Sequence, residues 1–297
     1  MKMRPLLGAH FSIAGGLHRA LLRGAALHCS TIQIFTKNSN QWKTRGLLPE
    51  EVSQFHETRA RTGISPVISH GSYLVNLASP DPLLYRKSLK SMIEEIDRCH
   101  LLGISSVVIH PGFHGGRGET EGLRRVSAAM NSILAKTKKF SVKVVFETTA
   151  GQGTSLGSRF AHFSFLFDRI EDVDRVGLCV DTCHIFAAGI DLRGRKAYER
   201  MVRAVRDSVG LGKLDLFHLN DSLQELGSRV DRHGHIGEGC IGLQAFCFIM
   251  RDERFSRVPK IIETPKDTTF SSGDQADRKN LALLRRLWRG GEPIDRA

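Results

Sequence analysis

Six short apolar runs in this chain each end on a residue type that binds metal ions, and they recur at intervals of 34 to 45 residues. The runs are Pro66 to Ser69, Ser106 to Ile109, Val142 to Phe146, Val176 to Val180, Leu214 to Phe217 and Lys260 to Ile262. The residues that close them are His70, His110, Glu147, Asp181, His218 and Glu263. Runs this short and this rich in Val, Ile, Leu and Phe predict strands buried on both faces, as in a parallel sheet. Two earlier runs, Leu6 to Ala9 ending at His10 and Thr31 to Phe35 ending near Lys37, bring the predicted strands to eight.

A parallel strand needs a long crossover before its neighbour, and the intervening segments have helical period. Leu89, Met92, Ile93, Ile96 and Cys99 form one stripe, which Gly103 is placed to stop. Leu123, Val126, Met130, Ile133 and Leu134 form a second, and Tyr198, Met201, Val202, Val205 and Val209 a third. Leu281, Leu284, Leu287 and Trp288 predict a closing helix whose Arg285, Arg286 and Arg289 lie off its apolar stripe. Eight such units predict an α/β fold, a single (β/α)8 TIM barrel over residues 1–297 with its functional site at the carboxyl ends of the strands. The alternative is an open doubly wound sheet, but no G-x-G-x-x-G follows the first strand.

One His or Glu after a strand is usually a hydrogen-bonded loop residue. Six in succession differ, because a barrel sets all of them on one rim. His184 lies three residues after Asp181, where a helical first turn puts both on one side. Asp231 and His233 share one face of an extended segment. His235 satisfies the same spacing, which by itself does not choose between the two histidines.

Four carboxylates and five imidazoles then converge. Two like charges at 4 Å repel by about 4 kcal/mol even at an effective dielectric of about 20, so the mouth must take up protons or cations. Mixed His, Asp and Glu donors without thiolates suit zinc, with manganese or iron as alternatives and magnesium or calcium disfavoured. Nine donor residues suit two or three ions. Three divalent ions would outweigh four carboxylates and leave a positive mouth that attracts a phosphodiester. Such a site generates hydroxide at neutral pH and stabilises both oxygens of an in-line displacement. The residues therefore predict metal-assisted phosphoester hydrolysis.

The net charge of +12, from 43 basic and 31 acidic residues, favours a polyanionic partner. Cys29, Cys99, Cys179, Cys183, Cys240 and Cys247 are too scattered for a disulfide scaffold, so reduced core thiols and a cytoplasmic setting are expected. The first residues lack the apolar core of a signal peptide, and no stretch predicts a membrane span.

From Gly8-Ala9-His10 to the last strand, the chain resembles the endonuclease IV family of apurinic/apyrimidinic endonucleases, also called deoxyribonuclease IV. The resemblance rests on His70-Gly71-Ser72-Tyr73-Leu74-Val75-Asn76-Leu77 and on Leu178-Cys179-Val180-Asp181-Thr182-Cys183-His184. It rests also on His218-Leu219-Asn220-Asp221-Ser222, followed by Asp231-Arg232-His233 and Ile236-Gly237-Glu238-Gly239. It implies a (β/α)8 barrel with three zinc ions. One would take His70, His110 and Glu147; the second would share Glu147 and add Asp181, His218 and Glu263. The third would take His184, Asp231 and His233, which leaves His235 beside the cluster.

The implied activity is hydrolysis of the phosphodiester 5′ to an abasic site in duplex DNA, leaving a 3′-hydroxyl and a 5′-deoxyribose phosphate. Removal of 3′-blocking groups accompanies it, as steps of base excision repair. Glu263 would position or deprotonate the attacking water and Glu147 would bridge two metals. The family bends DNA and turns out the abasic nucleotide, a cheaper step where no base is stacked. Tyr73 and Leu74 match the residues that fill the gap; packing at the start of a helix is their structural alternative. Asn40 stands where the family often has an Arg entering the base stack, and it lacks the charge and reach of Arg. Lys37, Lys43 or Arg45 would compensate, and Lys37 is accordingly expected among the DNA contacts. Gly71 and Leu223 also depart from commoner choices. The loop Gly112 to Gly118 reads either as a phosphate cradle or as a rim loop. The enzyme is expected to be a monomer.

Two other function classes fit part of the pattern. A barrel sugar isomerase or epimerase also gathers His, Asp and Glu around divalent metals, but it gives no reason for His184, Asp231 and His233 or for the basic charge. A non-catalytic DNA-binding barrel would carry four carboxylates that without metal oppose DNA binding.

Overall fold

Eight apolar runs pair side by side into a closed parallel barrel in the computed structural model of the chain, which describes residues 4–266 and 274–291. The strands are β1 (Leu7–Phe11), β2 (Ile32–Ile34), β3 (Val67–His70), β4 (Ser106–Ile109), β5 (Lys143–Glu147), β6 (Val176–Asp181) and β7 (Leu214–His218). Two short strands, β8 (Asp221–Ser222) and β9 (His233–Gly234), form a separate hairpin, and β10 (Lys260–Ile262) closes the barrel between β7 and β1. Residues 1–3, 267–273 and 292–297, which the single-domain expectation also covers, lie outside the described residues.

Strand alternation decides what faces inward. Ile68, Val108, Val145, Cys179, Leu216 and Ile261 form a small apolar cluster of their own inside the barrel. Each lies two residues before one of His70, His110, Glu147, Asp181, His218 and Glu263. Side chains at i and i+2 share a face, so the six polar groups form the next layer toward the carboxyl end. Between five of the six pairs, Ile109, Phe146, Val180, Phe217 and Ile262 point the other way and join the main core beneath the helices, while Ser69 in the sixth donates to Glu95. Full burial of such a side chain stabilises by about 1.5–3 kcal/mol. The outer faces of the strands hold the helices, which leaves the inner rim free to carry charge.

The four predicted helical stripes lie in the helices Pro82–Leu101, Glu119–Lys136, Arg195–Val209 and Gln275–Trp288. The first begins with Pro82, and the Asp81 carboxylate accepts the Leu83 N–H at 2.8 Å. It ends where Gly103 adopts φ 65°, which lets the Ile104 N–H reach the Cys99 carbonyl at 2.8 Å. Arg285 on the closing helix donates to the Leu27 and His28 carbonyls at 2.8 and 3.0 Å, tying the last helix to the first crossover. All six cysteines are unpaired and five of them are buried. Among the described residues no helix is long and apolar enough to cross a membrane.

Candidate active site

Each sequence-predicted donor reaches the mouth by a local device. Asp181 ends β6 and caps the short helix Thr182–Ala187, its Oδ1 accepting the His184 N–H at 2.9 Å. That cap points the His184 ring back over the barrel. The β8–β9 hairpin returns Asp231 and His233 to the same mouth. Its return segment is pinned by the fully buried Asp221, which accepts the Gly237 and Ile241 N–H groups at 2.9 Å each.

The nine donors fall into three groups whose nitrogen and oxygen atoms lie within 4.8 Å of one another. They are His70, His110 and Glu147; Glu147, Asp181, His218 and Glu263; and His184, Asp231 and His233. Glu147 is the hub. Its Oε2 lies 3.2 Å from His70 and 3.1 Å from His110, and its Oε1 lies 2.9 Å from His218 and 3.3 Å from His184. Glu147, Asp181 and His218 are fully buried. The side chains of His110 and Asp231 are 29% and 38% exposed, so the cluster opens to solvent along that edge.

The rings are already oriented for ligation. His70 Nδ1 donates to the Gly71 carbonyl at 2.8 Å, His184 Nδ1 to the Thr148 carbonyl at 2.7 Å, and His233 Nδ1 to the Glu263 carbonyl at 3.1 Å. Carbonyl oxygens only accept, so in the neutral rings Nε2 keeps its lone pair. His218 is held the other way round, with Nε2 donating to Gln33 Oε1 at 2.8 Å and Nδ1 facing the carboxylates. The Gln33 amide is itself oriented, because its Nε2 must donate to Glu263 Oε1 at 2.6 Å. An acceptor that fixes one nitrogen while the other faces a cluster is how metal-binding histidines are held. His233 Nε2 is buried, makes no hydrogen bond and faces Asp231 Oδ1 at 3.2 Å and Asp181 Oδ2 at 3.6 Å, the surroundings of a nitrogen placed to share a cation with carboxylates. The residues present therefore fit a multinuclear metal centre.

The electrostatics agree. Burial disfavours charge on His184, yet Asp181, Asp231 and Glu147 outweigh it and hold the ring well above its ordinary pKa. Burial likewise opposes ionisation of Glu147, but His218 and His110 keep that carboxyl well below its usual range. Positive charge is thus demanded at the floor of the mouth, and metal ions compete there with protons. Cys179 and Cys183 also come within reach. Burial pushes both thiols up to about 12, which disfavours them as ligands beside the ionised carboxylates and the imidazoles.

Three contributing residues lie outside the sequence-predicted set. His10 Nδ1 sits 3.1 Å from Glu263 Oε1, and Gln33 bridges Glu263 and His218. Asn220 donates to Asp181 Oδ2 at 2.7 Å and accepts the Glu263 N–H at 2.8 Å. Gln33 left one trace in the sequence, a polar side chain between Ile32 and Ile34 in a buried strand.

The expected DNA contacts are only partly at the surface. Tyr73 is 59% exposed in a turn rather than at a helix start, its ring 5.5 Å from that of His70. Leu74 is half-buried beside it, and Asn40 is exposed. Lys37 is corrected: it is buried, its Nζ donating to Ser91 Oγ at 3.1 Å and lying 3.9 Å from Glu95. A lysine in an otherwise polar loop looks solvent-facing in sequence, but the buried Glu95 on the neighbouring helix draws it inward. The phosphate-cradle reading of Gly112 to Gly118 is also corrected. The N–H groups of Phe113, His114, Gly115, Arg117 and Gly118 all donate within the protein, which leaves too few to hold an anion.

The sequence matches the family described as Xylose isomerase-like TIM barrel over residues 22–287. It is 48% identical over 288 residues to a Chloroflexus aurantiacus protein named "Probable endonuclease 4", covering 97% of this chain and 100% of the relative. Among solved structures, endonuclease IV from Thermus thermophilus superposes with a TM-score of 0.84 at 35% identity, covering 96% of this chain and 99% of that one. A D-tagatose 3-epimerase-like protein superposes with a TM-score of 0.70 at 16% identity, covering 94% of this chain and 98% of that one, a likeness of fold alone. The chain belongs to the endonuclease IV family within the xylose isomerase-like TIM barrels.

Proposed function

We propose that this protein is a zinc-dependent DNA-repair hydrolase, acting as a monomer in the cytoplasm. It cleaves the phosphodiester 5′ to an abasic site in duplex DNA and removes 3′-blocking groups. The observation that carries this reading is the three adjoining donor groups, two of which share Glu147 while the third meets it through His184 at 3.3 Å. A single-ion site leaves His184, Asp231 and His233 without a purpose. Zinc would be held by His70, His110 and Glu147, by Glu147, Asp181, His218 and Glu263, and by His184, Asp231 and His233. Bound there, divalent ions lower the pKa of water and offset charge on the attacking and leaving oxygens.

The chain's own groups supply orientation. Glu263 is anchored through Oε1 by Gln33 and His10, and its Oε2 lies 3.3 Å from His218 Nδ1. That turns Oε2 toward the metal group, where it would align the attacking water and take its proton. Glu147 would be shared by two of the metal positions. Tyr73, Leu74 and Asn40 stand at the rim to contact the DNA, and the basic surface attracts its phosphates.

Metal analysis beside a nicking assay on an abasic-analogue duplex tests the reading. About three zinc ions per chain and a single nick 5′ to the analogue are expected. One ion per chain, no nick and turnover of a ketose would place the protein among the sugar isomerases instead. A finer test is His184→Ala. Its Nε2 faces Asp231 at 3.1 Å and serves only the third group, so the variant should lose one zinc first. Loss of all three together would refute the division into groups.

A further inference from the structure

The loop between β2 and the helix Pro49–Thr62 carries the exposed Asn40, and it is held from behind by the helix Pro82–Leu101. The buried Arg98 on that helix donates from Nε to Thr36 Oγ1 at 3.0 Å, from Nη2 to the Thr36 carbonyl and from Nη1 to the Arg45 carbonyl at 3.1 Å. One guanidinium thus closes the Asn40 loop from both sides. Three residues earlier, on the same helix face, the buried Glu95 accepts the Thr36 hydroxyl at 2.8 Å and the Ser69 hydroxyl at 2.7 Å. Ser69 precedes His70, and the Ser72 hydroxyl donates to the Ser39 carbonyl, so the turn that presents Tyr73 is tied to the same assembly. Burying a guanidinium and a carboxylate carries a desolvation penalty that well-packed apolar residues of similar volume avoid. Stability alone therefore does not explain Arg98. Geometry does, because its rigid fork meets three acceptors at once, which neither an apolar side chain nor Lys reproduces.

We infer that Arg98 is a positioning residue for DNA binding: by holding the Thr36 and Arg45 carbonyls it sets the shape of the Asn40 loop before the duplex arrives. The inference deepens the proposed function and rests on it for the identity of the ligand. Arg98 belongs to none of the metal-binding groups and lies behind the rim, so it acts through the loop and not on the reacting atoms. Inside the loop the Asn40 N–H is already satisfied by Asn38 Oδ1 at 2.9 Å, which leaves the Asn40 side chain as the part offered to a partner. A loop ordered in advance leaves less ordering to be done on binding, and affinity rises accordingly. That gain offsets what Asn40, without the charge and reach of an Arg, does not supply.

The test compares wild type, Arg98→Lys and Arg98→Met, each checked for zinc content, on two substrates. One is an abasic-analogue duplex; the other is a small aryl phosphodiester, which reaches the metal centre but not the Asn40 loop. Arg98→Lys keeps a positive charge beside Glu95 and is the milder change, so it decides the matter where Arg98→Met fails to fold. On the duplex both variants should raise KM roughly tenfold, the scale on which ordering a few freed groups weakens binding, with kcat and zinc unchanged. On the small ester both should match wild type. The two tryptophans of the chain are Trp42, in this loop, and Trp288. In a Trp288→Phe background, Trp42 emission should shift to the red and its quenching by acrylamide should increase in both variants. Wild-type KM or wild-type quenching in the variants would overturn the inference. Equal losses on both substrates, or loss of zinc, would also overturn it, because a merely structural role produces those. Failure of wild type itself to nick the duplex would instead overturn the proposed function, with Trp42 quenching still reporting whether Arg98 holds the loop.

Discussion

Glu147→Gln is expected to lower bound zinc from about three ions per chain to one or fewer and to reduce nicking by about a thousandfold or more. Gln keeps the shape of Glu and removes only the charge, so the change isolates electrostatics from packing. Glu147 lies within 3.3 Å of four imidazoles and is fully buried, so no solvent replaces what the carboxylate supplies. Without it the metal positions lose their shared ligand. An amide also presents N–H groups to nitrogens that should face a cation. Removing one preorganised electrostatic group from a site of this kind commonly costs about 10²–10³ in rate, and here metal loss adds to that. The check is metal analysis of purified protein with single-turnover nicking of an abasic-analogue duplex. Full zinc content in the variant would show that Glu147 is not the bridge.

Glu263→Gln should behave differently. Binding of the abasic duplex should stay within about threefold of wild type while cleavage falls about a hundredfold or more. Glu263 is 15% exposed by side chain and follows β10 at the rim, where Oε2, on the side of His218, can meet a water. Gln33 and His10 fix the other oxygen, so the substituted amide keeps its place but cannot take a proton. Asp181 and His218 remain in that metal group, which limits the loss of metal. Binding measured by fluorescence anisotropy, with cleavage followed separately under saturating protein, separates the two effects. Undiminished cleavage would remove Glu263 from the chemistry, whereas equal loss of binding and cleavage would make it a structural ligand alone.

The barrel and most of its site were legible because both are written at short range. Strand period places His70, His110, Glu147, Asp181, His218 and Glu263 two residues beyond Ile68, Val108, Val145, Cys179, Leu216 and Ile261. A reader of the sequence needs only alternation and closure to put the six on one rim. The spacing of Asp181 and His184 likewise anticipates a helical first turn, which Asp181 caps through its Oδ1.

What local pattern cannot carry is contact between distant segments. His233 and His235 fit the same alternation. Only tertiary structure sets His233 against the Glu263 carbonyl and leaves His235 Nδ1 beside Asn280, at 3.1 Å. Lys37 is drawn to Ser91 and Glu95, more than 50 residues away, so its burial has no trace in its own neighbourhood. Gln33 orients Glu263 and His218 across 230 and 185 residues. The sequence by itself determined the barrel, the rim and eight of the nine candidate donors, because backbone alternation and helical period act over a few residues. The tertiary structure alone decided which nitrogen of each ring is free and which polar side chains stay outside. It also decided that Arg98 reaches both Thr36 and Arg45, because each of these depends on hydrogen-bond partners that only folding brings within about 3 Å.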